Sequence, residues 1–165
     1  MRFFFCLIAC SLIFPIVAAA QRTTGYWFLA PGAATAAGHS SATLHMGGGA
    51  EFSIWKGIAA GVEGGALANT RDYTGTVQGL GSVNGYYHFL RTRGSRFDPF
   101  VTGGYSLLFR HGTANLANYG GGLNYWVWKT AAFRIEVRDH VYGAVSPTVH
   151  FWGVRFGMSF TELAP

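Results

Sequence analysis

Apolar residues alternate with small or polar ones along most of this chain, with the two-residue period of a β-strand whose faces meet different surroundings. The pattern is clearest near the C-terminus. Between 148 and 160, His150, Trp152, Val154, Phe156, Met158 and Phe160 share one face, and Phe151, Gly153, Arg155, Gly157 and Ser159 the other. In the segment before it, Phe133, Ile135 and Val137 oppose Arg134, Glu136 and Arg138, so three charges share a face. Earlier segments repeat the rule with more glycine. Leu44, Met46, Ala50, Phe52 and Ile54 oppose His45, Gly47, Gly49, Glu51 and Ser53, and Ile58, Ala60 and Val62 oppose Ala59, Gly61 and Glu63. Val77, Val83, Tyr87 and Phe89 oppose Gln78, Ser82, Asn84 and His88, with Leu80 out of place on the polar face. Val101, Tyr105, Leu107 and Phe109 oppose Thr102, Gly104 and Ser106, and Tyr119, Leu123 and Tyr125 oppose Gly120, Gly122 and Asn124.

These segments predict seven strands, and Tyr26 to Ala30 supplies an eighth whose register is open because Tyr26-Trp27-Phe28-Leu29 is continuously apolar. The connections alternate in kind. Trp55-Lys56-Gly57 and 126–130 read as tight turns and 90–97 as a longer basic one, while 31–41, 69–75, 110–117 and 141–147 read as loops at the opposite end. Trp27, Trp55, Phe89, Phe100, Trp126, Trp128 and Phe160 then gather toward the tight-turn end, where amphipathic rings favour a membrane interface.

Composition decides which face meets what. The chain has 24 glycines, 16% aromatic residues and only 12% charged residues, about half the charge of an ordinary soluble domain. After residue 20 no stretch reaches the length of an apolar membrane helix. A chain that is poor in charge and not helical fits a β-barrel with lipid outside. The opposite arrangement, a secreted lipocalin-like binding barrel, would expose His45, Glu51, Gln78, Ser82, Asn84, Thr102, Asn124 and many glycines. That face is too small and too rich in glycine for a solvated exterior.

The N-terminus is set apart. Arg2 precedes an almost wholly apolar run from Phe3 to Val17, broken by Pro15 and closed by Ala18-Ala19-Ala20, as in a secretory signal peptide cleaved before Gln21. Leu7-Ile8-Ala9-Cys10 is similar to a lipoprotein box, but cleavage there would leave most of the hydrophobic segment behind. The expected organisation is therefore a signal peptide at 1–20 and one barrel domain at 21–165. Both cysteines, Cys6 and Cys10, leave with the signal, so no disulfide holds the fold. The 145 residues that remain allow about 18 for each of eight strands, enough for 9–11 spanning residues and a connection. They carry 11 basic and seven acidic residues, a formal charge of +4 without a broad basic face, and nucleic acid is not an expected partner.

An eight-stranded barrel is narrow enough for side chains to fill it, so charges on the inner face must pair. Glu51, Glu63 and Glu136 facing Arg134, Arg138 and Arg155 give three of each sign, a network that closes the lumen. A gated small-solute channel shut by those ion pairs is the alternative. His140 and His150 flank the last loop with Ser146, Asp139 and Glu136 near, the residue types of a lipid A acyl hydrolase or acyltransferase, but no histidine-x-serine-asparagine pattern follows His140. No catalytic residue is assigned. His39 and His111 fall in predicted loops, no histidine pair has zinc spacing, and neither glycine run is followed by the Lys-Ser/Thr of a phosphate loop, so no metal or cofactor is expected.

GGGLNYWVWKTAAFRIEVRDH (120–140), FDPFVTGGYS (97–106) and FWGVRFGMSF (151–160) together resemble the OmpA-like outer-membrane β-barrel family over nearly the whole exported chain. The resemblance implies an eight-stranded antiparallel up-and-down transmembrane barrel in the outer membrane of a Gram-negative bacterium. It also implies contact with outer-membrane lipid and lipopolysaccharide, and a monomeric, non-enzymatic role in envelope integrity or surface interaction. A C-terminal aromatic, here Phe160, is read in that family by the barrel assembly machinery. Two departures stand out. Phe160 is followed by Thr-Glu-Leu-Ala-Pro, and the sequence stops at 165 without the family's peptidoglycan-binding domain, so no cell-wall tether is expected.

Overall fold

In the computed structural model, which describes residues 22–69, 77–90, 95–110, 112–143 and 147–162, eight strands form one closed antiparallel barrel. They are β1 (Arg22–Ala36), β2 (His39–Trp55), β3 (Ile58–Asn69), β4 (Val77–His88), β5 (Phe97–Phe109), β6 (Thr113–Trp126), β7 (Ala131–Tyr142) and β8 (Val149–Thr161). Each pairs with its chain neighbour, and β1 closes on β8, so backbone groups are paired around the wall and no sheet edge is left. The signal segment proposed at 1–20, the loop residues 70–76 and 144–146, and the basic turn residues 91–94 lie outside the described residues.

Burial follows the alternation, with the usual sense reversed. Inward positions on β7 are Arg134, Glu136, Arg138 and His140, all buried, while Phe133, Ile135 and Val137 point out and are about half exposed. Val83 on β4 is 62% exposed, whereas Glu51 and Arg138 are 1% exposed. The large apolar side chains form the outer surface and the charges form the core.

Four expectations need correction. The first strand is not confined to 26–30 but runs the full 15 residues of β1, and its apolar run is explained by two different environments: Tyr26, Phe28 and Ala30 are buried in the lumen, and Trp27 and Leu29 face out. Most of the loop expected at 31–41 is strand. β1 and β2 meet at Ala37-Gly38 and β2 and β3 at Lys56-Gly57, each a two-residue turn with positive φ at both positions, the geometry that matches strand twist. His39 accordingly opens β2 rather than lying in a loop. At 113–117 the expected loop is likewise the first part of β6. Apart from Pro31, His39 and Leu116 these stretches are built from alanine, glycine, serine, threonine and asparagine, so they carry little hydrophobic contrast, and pairing with the neighbouring strand holds them extended. Finally, Phe100 is buried in the lumen and does not belong to the interface ring.

Strands β1 and β8 keep one register from Thr24↔Thr161 to Thr35↔His150, with the pairing skipped at Ala30 and Pro31. Pro31 has no N–H to give to the ladder, and it falls where that pairing is interrupted.

Candidate functional site

The inner face places Glu51 on β2, Glu63 on β3, Arg134, Glu136 and Arg138 on β7, and Arg155 on β8, all six buried and bonded into one network. Arg134 donates from Nη1 to Glu51 Oε1 at 2.5 Å, and from Nε and Nη2 to Glu136 Oε2 at 3.1 and 3.0 Å. Arg138 donates from Nε to the other oxygen of Glu136 and from Nη1 to Glu63 Oε2 at 3.5 Å. Arg155 Nη1 reaches the same Glu63 oxygen at 2.7 Å, and Tyr26 donates its hydroxyl to it at 2.9 Å. Charge-assisted bonds of this kind are what make a buried ion tolerable.

Aromatic rings complete the coordination of the arginines. The Arg134 guanidinium lies 4.3 Å from the ring centres of both Tyr26 and Phe100, and that of Arg155 lies 4.2 Å from Phe28. A planar cation between π-faces is favoured most where water is excluded.

Two further charged groups belong to the network. At its tight-turn end, His88 holds Asp98 Oδ2 at 2.9 Å with Nδ1 and Glu51 Oε2 at 3.2 Å with Nε2. Both ring nitrogens face carboxylate oxygens, so the ring must donate from both to satisfy both. Four carboxylates therefore face three arginines and one histidine among the described residues, in place of three against three. His88 had the right alternation to be found, but Asp98 lies before Pro99, between the turn expected at 90–97 and the strand expected from Val101. Replacing His88 with glutamine leaves one buried carboxylate short of a donor, and the expected cost is about 1–3 kcal/mol, read from the urea midpoint of the barrel in detergent micelles.

Toward the opposite end the network passes into neutral groups. Arg155 Nη2 lies 3.1 Å from His140 Nε2, His140 Nδ1 lies 3.1 Å from Ser106 Oγ, and Ser106 is also bonded to Ser82 and Asn118. A ring nitrogen facing a guanidinium must accept, so His140 donates to Ser106. That is the reverse of a base that would draw a proton from a serine. Beyond it Ala30, Leu67, Leu80 and Leu116 are buried in an apolar layer, which accounts for Leu80 on the polar face. The cavity between this layer and the arginines has a volume of about 20 Å³, room for about one water molecule.

The lumen of this chain is thus filled from end to end by ion pairs and then by leucines, while lipid-like surface is turned outward. No protein-family model and no curated protein matches the sequence. Among solved structures, the chain is similar to the N-terminal β-barrel domain of Pseudomonas aeruginosa OprF, with 17% identity, a TM-score of 0.63, and coverage of 86% of this chain and 98% of that one. It is also similar to Neisserial surface protein A, at 14% identity and a TM-score of 0.66, over 84% of this chain and 96% of that one. The outer membrane protein OprG from Pseudomonas aeruginosa matches at 11% identity and a TM-score of 0.57, over 88% and 98%. The fold is that of the small outer-membrane β-barrels. At these identities the likeness is one of fold.

On the outside of this small outer-membrane barrel fold, the proposed interface residues Trp55 and Trp128 are well exposed at the tight-turn end, and Lys56 lies over the Trp55 ring at 4.6 Å. Trp126 closes β6 there, partly covered. Trp27 faces outward five residues into β1, beside Met158, and Phe160 faces outward at the end of β8, paired with Gly25 and Ala131. The second histidine weighed as a catalytic group, His150, is also outside. Its Nδ1 holds Asp139 Oδ2 at 2.7 Å, and the hydroxyl in this group, Tyr119, donates to Asp139 rather than to His150. Ser146 lies outside the described residues.

Proposed function

We propose that this chain is an integral outer-membrane protein with a structural role, a closed barrel that contributes to envelope integrity and presents its far loops at the surface. The reversal of the two faces carries this reading. Half-exposed Val, Ile, Phe, Met and Trp side chains cover the wall while eight charged groups are buried inside it, an arrangement stable only where the outer solvent is apolar. Phe160 as the assembly signal, delivery by the N-terminal signal, a monomeric state and contact with lipopolysaccharide belong to the same proposal.

A barrel of this kind keeps its fold in cold dodecyl sulfate and loses it on boiling, so membrane fractions should show a band whose migration changes with heating. The purified barrel should add no conductance to a planar bilayer, because the ion pairs and the leucine layer leave no continuous water path. A soluble product without a heat-dependent shift would overturn the membrane reading; steady single-channel currents would overturn the closed lumen and favour a gated pathway.

A further inference from the structure

Among the described residues the lumen buries three imidazoles, His45, His88 and His140, each 6% exposed or less. Their partners demand opposite charge states. His88, the last residue of β4, faces Glu51 of β2 through Nε2 at 3.2 Å and Asp98 of β5 through Nδ1 at 2.9 Å. The rings of Tyr86 and Phe100 flank it, and Arg134 of β7 is bonded to the other oxygen of Glu51. Asp98 has the Asn124 amide, at 3.5 Å, as a further donor. A neutral ring has one N–H, so a His88 that lost a proton would turn a lone pair toward one of two buried carboxylates.

His140 on β7 is placed the other way round. Its Nε2 accepts from Arg155 Nη2 of β8 at 3.1 Å, and its Nδ1 donates to Ser106 of β5 at 3.1 Å. The same Arg155 nitrogen lies 3.5 Å from Nδ1 of His45 on β2, so that ring carries its single proton on Nε2. Arg138 of β7 lines the cavity beside both rings, and Glu63 of β3 and Glu136 of β7 hold the two arginines. A second proton on either ring would set an imidazolium N–H against a guanidinium N–H, with the acceptor lost.

We propose that the lumen is a two-ended proton lock, shut at the tight-turn end only while His88 carries two ring protons, and at the loop end only while His140 and His45 carry one each. Alkali releases β2, β4 and β5 where His88 joins them. Acid releases β2, β5, β7 and β8 where Arg155 and Ser106 meet the other two rings. The acid-sensitive end borders the leucine layer and its small cavity, so acid is what admits water to the lumen from the loop side.

Unfolding frees every ring to titrate at about pH 6.5. Below that pH the unfolded chain takes up protons that folded His140 and His45 refuse, and stability falls. Above it the unfolded chain gives up a proton that folded His88 keeps, and stability falls again. Each ring changes the folding equilibrium constant by about tenfold per pH unit once the pH is well away from 6.5. The resulting profile is lopsided, with a slope approaching about a hundredfold per unit on the acid side and about tenfold on the alkaline side.

The test is urea unfolding of the full exported chain in detergent micelles from about pH 5 to about pH 8, a range in which free carboxyls stay largely ionised and tyrosine and lysine stay protonated. His88→Gln should flatten the alkaline side alone, and His140→Gln should reduce the acid slope to about tenfold per unit. His150, which bonds Asp139 on the outside, is present in all three chains, so its contribution cancels between them. Nitrogen-15 labelling of the histidines gives a readout that the parent supplies alone. At about pH 8 a ring signal missing from His88→Gln should still show both nitrogens protonated, and at about pH 5.5 two rings should still show only one. A midpoint independent of pH, variants that keep both slopes of the parent, or labelled rings that all change charge together near pH 6.5 would overturn the lock. Should a variant fail to fold, the labelled rings of the parent decide.

Discussion

Replacing Glu63 with alanine will lower the unfolding free energy of the barrel by about 3–5 kcal/mol, because it leaves two buried guanidinium groups without their shared counter-ion. Glu63 Oε2 receives Arg155, Arg138 and the Tyr26 hydroxyl, so one deletion reaches three strands beyond its own. Arg138 retains Glu136, but Arg155 retains only a 3.9 Å approach to Glu136 and the imidazoles of His45 and His140. The deficit therefore falls mainly on Arg155. Urea titration in detergent micelles should show the transition midpoint move to lower denaturant with little change in slope. A midpoint within error of the parent would mean that water enters the lumen and solvates these charges.

The second large effect is steric. At Gly157 on β8 a Cβ would overlap the carbonyl oxygen of Trp27 and lie 3.0 Å from the Phe28 Cα, both backbone atoms of β1. Neither can rotate away, so the ladder that closes the barrel must part. Gly157→Val should cost about 3 kcal/mol or more, at or beyond the upper end of overpacking penalties, and should remove the folded band from an unboiled gel. Gly64 on β3 makes the control: nothing lies within 4 Å of a Cβ there, and Gly64→Ala should stay within about 0.5 kcal/mol of the parent. A folded Gly157→Val barrel would show that the β1–β8 seam is looser than its backbone contacts indicate.

Alternation was enough to put Glu51, Glu63, Arg134, Glu136, Arg138 and Arg155 on the face away from the large apolar groups, because each sits among residues of strong contrast. It failed where the lumen is not polar. Tyr26, Phe28 and Phe100 are inside as faces for arginine, so hydrophobicity and exposure part company at those positions, whereas Leu80, which the alternation did place on the inner face, is there as part of the apolar layer. Strand ends were misjudged for a different reason. Residues 31–36 and 113–117 are extended through ladder bonds, which leave no mark in side-chain type. The link between His88, Asp98 and Glu51 depends on strands 2, 4 and 5 coming together, and no local pattern carries that information. The eight-stranded closed topology itself followed from strand count and length, and the solved barrels of OprF and Neisserial surface protein A share it in outline.

The ion pairs that fill the lumen also bear on how the barrel forms. Glu51 meets Arg134 across 83 residues of chain and Glu63 meets Arg155 across 92, joining the first hairpins to the last. The first hairpins hold Glu51 and Glu63 without an arginine of their own, and the last holds three arginines against Glu136 alone, so a partly assembled sheet entering lipid would carry unpaired carboxylates in one part and an excess of guanidinium charge in another. The lumen thus acts as a proofreader of assembly, making a half-built wall costly and a closed one cooperative.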